Sequence, residues 1–384
     1  MIDANAYAER ARGYALIAYA AFLPFSITGA QTALALLLVF WARDLATKRA
    51  HLGGLMSIVL SAFLAWTFLA AIFAVDRPMA FSRLPNFWIH LAWFPLIVAM
   101  ENRRALRRSL WALAVSAALI GLYGLAQARF GPAVPRFLVP DVRLWQPSGG
   151  YYHAVGLFDH HLTYGNTLML CLAGALALGG TVTGRARWFV ATCGAAIVGG
   201  LFVSYARSAW LGTALMVAVF ALFIGRRASI LAAVAGAIVL SAALAASPTI
   251  RDRFFSSFRP GSNTERVYLW TTSWNMALDH PITGIGPGVY RSLAPKYREG
   301  IDIHWTTASH AHNSYIMAAA ESGFPAMMFF VAILVAAFRG SGRLFERPPP
   351  GGKARWWAAA WSAGVAGFAL AAFFNIISAT RRSP

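Results

Sequence analysis

The segment His310-Ala311-His312-Asn313-Ser314-Tyr315 stands at the start of a long apolar run. Polar residues at the mouth of a membrane span are often functional. An imidazole titrates near neutral pH and is suited to taking a proton from a hydroxyl. His312 is therefore a candidate general base; a His that only orients substrate and a structural His are the other readings. Arg266 comes next. It falls in the first turn of a helical pattern, where a cation opposes the helix dipole. That placement makes sense if an anion is held between the guanidinium and the first N–H groups. An Arg snorkelling toward lipid headgroups is the alternative. Asp159-His160-His161 could hold a metal, but no fourth ligand is evident. Gly284-Ile285-Gly286-Pro287-Gly288 follows no strand and is interrupted by Pro287, so it reads as a tight turn and not as a dinucleotide site.

The elements that must position these residues follow from composition. The chain has 384 residues, 58% of them hydrophobic and only 12% charged. This excludes a soluble globular enzyme, a disordered chain and a secreted disulfide scaffold. A spanning helix needs about 20 apolar residues, so the expected fold class is an all-α polytopic membrane protein. Alternating ten-residue segments of a membrane barrel are absent from the sequence. Eleven spans are expected near 13–28, 30–42, 55–75, 84–100, 106–127, 162–180, 187–205, 207–225, 228–247, 312–338 and 356–378. Cys171 and Cys193 lie inside apolar runs and read as small hydrophobes.

Basic residues set orientation. With a cytoplasmic N-terminus, every short inside loop is basic, for example Arg103, Arg104, Arg107 and Arg108. Most of the net charge of +19 is then topology, not nucleic-acid binding. A positive surplus is left outside, which fits an anionic ligand or a solvated loop surface. Two outside loops are long, 129–161 and 248–311, and long loops are usually functional. The expected organisation is a membrane bundle over 1–247, an outer loop over 248–311 and C-terminal spans over 312–384. In the second loop Ser262 to Glu265 fits a capping box. Val267, Trp270, Trp274, Ala277 and Leu278 then continue an amphipathic helix near 263–279, expected to lie on the membrane surface. His312 and Gly323 are eleven residues apart, about 1,100° at 100° per residue, so a continuous helix puts both on one face. Gly323 would then let another helix approach. Glu321 would face the opposite side, as partner to a polar group in the bundle.

These residues resemble a known family. Bacterial O-antigen ligases carry a His followed by Asn, Ser or Arg, nine residues, Gly, two residues, then Gly, Thr or Tyr. His312-Asn313, the nine residues Ser314 to Ser322, and Gly323-Phe324-Pro325 match; Ala326 departs at the last position but is still small. His280-Pro281 to Gly288 is similar to the turn before that motif. Val155 to Asn166 resembles the segment opening the family's middle span. Ser204-Tyr205-Ala206-Arg207-Ser208 looks like the segment that supplies one essential arginine, and Thr264-Glu265-Arg266 the other. The likeness covers about 155–326.

The resemblance implies a twelve-span protein with the architecture of lipid-dependent (GT-C-like) glycosyltransferases. An eleven-span count leaves Arg381 and Arg382 outside, so either a twelfth span follows or the count is off by one. The family's activity is transfer of O-antigen polysaccharide from undecaprenyl pyrophosphate to a sugar hydroxyl of lipid A-core. It takes place on the periplasmic face of the Gram-negative inner membrane. His312, Arg207 and Arg266 are then the expected catalytic residues. Asn313, His310, His161 and Tyr164 are expected at substrate, and Gly323 in packing. No cofactor or metal is expected, since Asp-x-Asp occurs nowhere and no outside carboxylate pair suggests double displacement. An O-antigen polymerase and a protein O-oligosaccharyltransferase share this chemistry, although the Arg-x10-Gly loops of some polymerases are absent from the outer loops. A transporter fits less well: the charges cluster at the outer face and no inverted repeat is visible.

Overall fold

A computed structural model describes residues 4–47, 54–131, 152–246, 248–256, 264–298, 310–346 and 354–374. Among them the chain is helical and has no strand. The helices are α1 (Ala4–Phe22), α2 (Ile27–Ala46), α3 (Gly54–Ile72), α4 (Arg77–Arg83), α5 (Trp93–Ala99), α6 (Arg103–Phe130), α7 (His161–Gly179), α8 (Arg185–Phe202), α9 (Arg207–Ile224), α10 (Arg226–Ala246), α11 (Pro248–Phe255), α12 (Thr264–Asp279), α13 (Tyr290–Leu293), α14 (Ser314–Glu346) and α15 (Ala354–Phe373). Seven of them are long and apolar enough to cross a membrane: α3, α6, α7, α9, α10, α14 and α15. This is the make-up of a polytopic membrane protein.

Three other expected spans fall on α1, α2 and α8. The chain turns between α1 and α2 at Pro24, and Ser26 Oγ accepts the Gly29 N–H to cap α2. The span expected over 84–100 is not one helix. Leu84–Ala92 forms a 3₁₀ helix that hands over to the seven-residue α5. Pro85 and Pro95 each remove a backbone donor, which breaks a continuous ladder.

The chain forms two compact units whose segments interleave along the sequence. One comprises 1–51, 94–256 and 338–371, the other 52–93, 257–337 and 372–384. In the first unit small residues let helices touch. A Cβ on Gly212 of α9 would sit 2.8 Å from Gly367 O of α15. Arg12 of α1 pairs with the buried Asp44 of α2, and Ser362 Oγ donates to Ser341 Oγ at 2.7 Å. Cys171 and Cys193 are buried and unbridged.

The second unit is built around a break in α14. Gly323 has φ 79° and ψ 171°, a conformation essentially reserved for glycine. Breaking a helix at membrane depth frees carbonyls that lipid cannot satisfy. Each is taken by a named donor. Ile285 N–H donates to Ala320 O and Gly286 N–H to Glu321 O, both at 2.9 Å. Trp66 Nε1–H donates to Ser322 O at 2.9 Å. Beyond the break, Phe324 N–H donates to Pro281 O at 2.9 Å. The Glu321 carboxylate accepts the N–H groups of Gly288 and Tyr290, with Arg83 beside it. The turn expected at 284–288 is thus present, with positive φ at Gly284, Gly286 and Gly288. It seals the helix break.

Two expectations are corrected here. His312 and Gly323 share no helix face, because α14 begins after His312 and its regular path stops at Gly323. What Gly323 admits is not another helix but this turn: a Cβ there would overlap the Ile282 carbonyl. Gly323→Ala should therefore cost at least about 1–3 kcal/mol from backbone strain alone, lowering the unfolding temperature in detergent. Gly340→Ala, on the same helix with nothing within 4 Å, should leave it unchanged or slightly raised. Equal unfolding temperatures for the two variants would refute the sealed-break account.

Candidate functional site

In the second unit, the site begins at the N-terminus of α14. Asn313 precedes the helix, and its Oδ1 accepts the N–H groups of Tyr315 (2.9 Å) and Ile316 (3.1 Å). This is an N-cap, and it fixes where the helix starts. His312 is placed just outside with φ 52°. Left-handed backbone is uncommon for a side-chain-bearing residue and is worth explaining. The His310 and His312 rings lie 4.2 Å apart. His310, His312 and Asn313 are therefore brought together, with Ala311 and Asn313 fully buried beneath the half-exposed imidazoles.

Arg266 lies in the first turn of α12, the sixteen-residue helix expected near 263–279. The proposed cap Ser262 lies outside the described residues. Thr272, Ser273, Met276 and Ala277 are buried on one side of α12, and Ser273 Oγ is 2.9 Å from Tyr290 Oη. Val267, Trp274 and Leu278 remain exposed. The Arg266 guanidinium sits over the Phe374 ring at 5.9 Å. Next to it, Phe373 meets Trp270 edge-on at 5.3 Å and Tyr315 at 6.2 Å. Phe373 and Phe374 thus hold the start of α12 and the first turn of α14 against one short segment. Trp274 packs edge-on to Phe324 at 5.4 Å, just past the break.

In the first unit, Arg207 opens α9, and no side chain caps that helix. The approach to it is locally constrained. Ser204 Oγ donates to Leu201 O and accepts the Ala206 N–H. Tyr205 between them has φ 54°. Its ring is stacked on His153 at 4.5 Å; His153 meets His161 at 4.9 Å, and His161 stacks on His160 at 4.5 Å. A column of rings so runs from the half-exposed His160 to the buried Tyr205, two residues before Arg207. Gln127 holds the loop that carries His153: Oε1 accepts the Val155 and Gly156 N–H groups, and Nε2 donates to Gly156 O at 2.8 Å.

Tyr164 is corrected. It is fully buried, and its hydroxyl donates to Ile120 O at 3.1 Å. It ties α7 to α6 and presents no group to a substrate. His161 does stand with Arg207's surroundings. Among the described residues no group of three His, Cys, Asp or Glu side chains is placed to hold a metal, and the His160 Nδ1 accepts the Leu162 N–H as cap of α7. Sequence reasoning missed His153, Gln127 and Trp66. Gln127 carried a signal, a polar residue on the buried side of an apolar span. His153 and Trp66 carried none, since only tertiary contacts give them work.

No curated protein matches the chain. Residues 192–331 match the family model described as O-Antigen ligase. That stretch holds Arg207, Arg266, His310, His312, Asn313 and Gly323, while His161 and Tyr164 precede it. Over that stretch the chain is similar to the O-antigen ligase family.

Proposed function

We propose that this protein transfers O-antigen polysaccharide from undecaprenyl pyrophosphate to a sugar hydroxyl of lipid A-core, in lipopolysaccharide assembly. The observation that supports the reading best is strain. Among the described residues only two non-glycine residues have positive φ, Tyr205 and His312. One is the expected base itself and the other lies two residues before an expected phosphate-binding arginine. Strained backbone of this kind costs about 1–3 kcal/mol per residue and clusters at functional sites.

The chemistry assigned to these groups is a single inverting displacement. The acceptor hydroxyl gives its proton to a His312 ring nitrogen as its oxygen attacks the anomeric carbon. The bond from that carbon to the pyrophosphate oxygen breaks, and the lipid pyrophosphate leaves with the electron pair. Arg207 and Arg266 bind the phosphate oxygens as bidentate forks and stabilise that charge. In this reading no metal is needed. The site faces the periplasm of a Gram-negative inner membrane, the N-terminus is cytoplasmic, and eleven or twelve spans form a GT-C-like architecture. A polymerase or a protein O-oligosaccharyltransferase would use the same groups on another acceptor.

His312→Ala should abolish transfer in a purified system while the unfolding temperature stays within a few degrees of wild type. Normal turnover by that variant would remove the base assignment. Arg207→Lys and Arg266→Lys keep the charge but lose the fork. Each should slow transfer at least tenfold, about 1.4 kcal/mol or more in the barrier; lysine variants as fast as wild type would mean that these are not phosphate clamps. Deleting the gene should leave full-length lipid-linked glycan on the periplasmic side and lipopolysaccharide ending at bare core. Core bearing a single repeat would point to a polymerase, and glycan stranded on the cytoplasmic side to a transporter.

A further inference from the structure

Asn313 does more than cap α14. Its Oδ1 takes both helix N–H bonds, which fixes the other terminal atom as the amide nitrogen, with two hydrogens to donate. That nitrogen, Nδ2, is buried and has no hydrogen-bond partner, in a residue that is 0% exposed. Leaving a buried donor unpaired costs about 1–3 kcal/mol, so native proteins rarely keep one without a use. The position is also electrostatically biased. It stands at the positive end of the first half of α14, Ser314 to Ser322, where anions are favoured, and it adjoins His312, whose left-handed backbone marks the site.

We propose that Asn313 Nδ2 donates a hydrogen bond to a pyrophosphate oxygen of the lipid-linked donor. The proposal rests on the transfer reading above and deepens it. A donor aimed at the leaving group gains strength as negative charge develops there. The same donor placed on the attacking hydroxyl oxygen would lower its nucleophilicity. Since Nδ2 is covered in the free protein, binding includes a local opening over the first turn of α14.

Three variants separate the cap from the donor. Asn313→Asp keeps the cap and loses the donor, Asn313→Ser keeps a cap acceptor and a hydroxyl donor, and Asn313→Ala loses both. Transfer from an undecaprenyl-pyrophosphate-linked oligosaccharide is measured in detergent together with unfolding temperature. Inhibition by farnesyl pyrophosphate and by farnesol is measured alongside. We expect the Ser variant to unfold near the wild-type temperature and the Asp and Ala variants lower. Transfer per folded molecule should fall at least tenfold in the Asp and Ala variants and less in Ser. Farnesyl pyrophosphate should inhibit the Asp and Ala variants at least fivefold more weakly, with farnesol unchanged. An Asp variant that transfers as fast as wild type would show that Asn313 is only a cap. An Ala variant with normal transfer per folded molecule would show that Nδ2 meets water or nothing. Slower transfer with unchanged farnesyl pyrophosphate inhibition would move the contact to the acceptor and overturn the proposal. Failure of the transfer reading shows separately, as a wild-type protein with no transfer to any acceptor offered.

Discussion

Peptide groups at membrane depth must find partners within the protein, and in the second unit this one requirement governs everything near His312. The break at Gly323 frees the carbonyls of Ala320, Glu321 and Ser322, and three donors from two other segments take them. The turn at 281–288 is therefore not a connector that happens to lie nearby. Its backbone completes the helix. Ile285 O in turn accepts the Val75 N–H at 3.0 Å, which ties the end of α3 to the same turn. Short helical pieces, a glycine-rich turn and a broken span form one hydrogen-bonded object, and the half of α14 that carries Asn313 is fixed by it at one end.

The other end of that half-helix is fixed by its cap. Asn313 sets the first turn, and the left-handed His312 is what the chain must adopt to arrive there. Tyr205 solves a similar problem in the first unit by different means. A ring stack with His153 and the Ser204 hydroxyl hold its backbone just before Arg207. In both places the strain is offset by contacts that also fix the residues that follow. A catalytic group held in this way would gain from it, because stabilising a developing charge is worth most when nothing has to reorganise.

What was legible in the sequence was local. Apolar runs marked the long helices, because hydrophobic length alone decides whether a segment can span. The turn at 284–288 was legible from Gly and Pro, and α12 from its period. The span over 84–100 misled because its apolar content is real, yet Pro85 and Pro95 divide it into short pieces. Tyr164 misled because a polar tip in a resembling segment looks available until the Ile120 carbonyl is found on it. Gly323 was given the wrong neighbour. A small residue in an apolar helix suits close helix packing and a backbone break equally well, and only its φ tells the two apart. Glu321 was expected to partner a polar group; that the group would be the N–H pair of Gly288 and Tyr290 depends on a contact no spacing encodes.

At Arg266 the chain sets a cation against an aromatic ring. Arg266 sits over Phe374, and ring contact partly replaces lost hydration while the planar guanidinium keeps its in-plane donors for oxygen partners. At Arg207 the neighbouring segment is likewise furnished with rings, from Tyr205 through His153 to His161. At Arg12 the partner is instead the buried Asp44 carboxylate, in a structural ion pair.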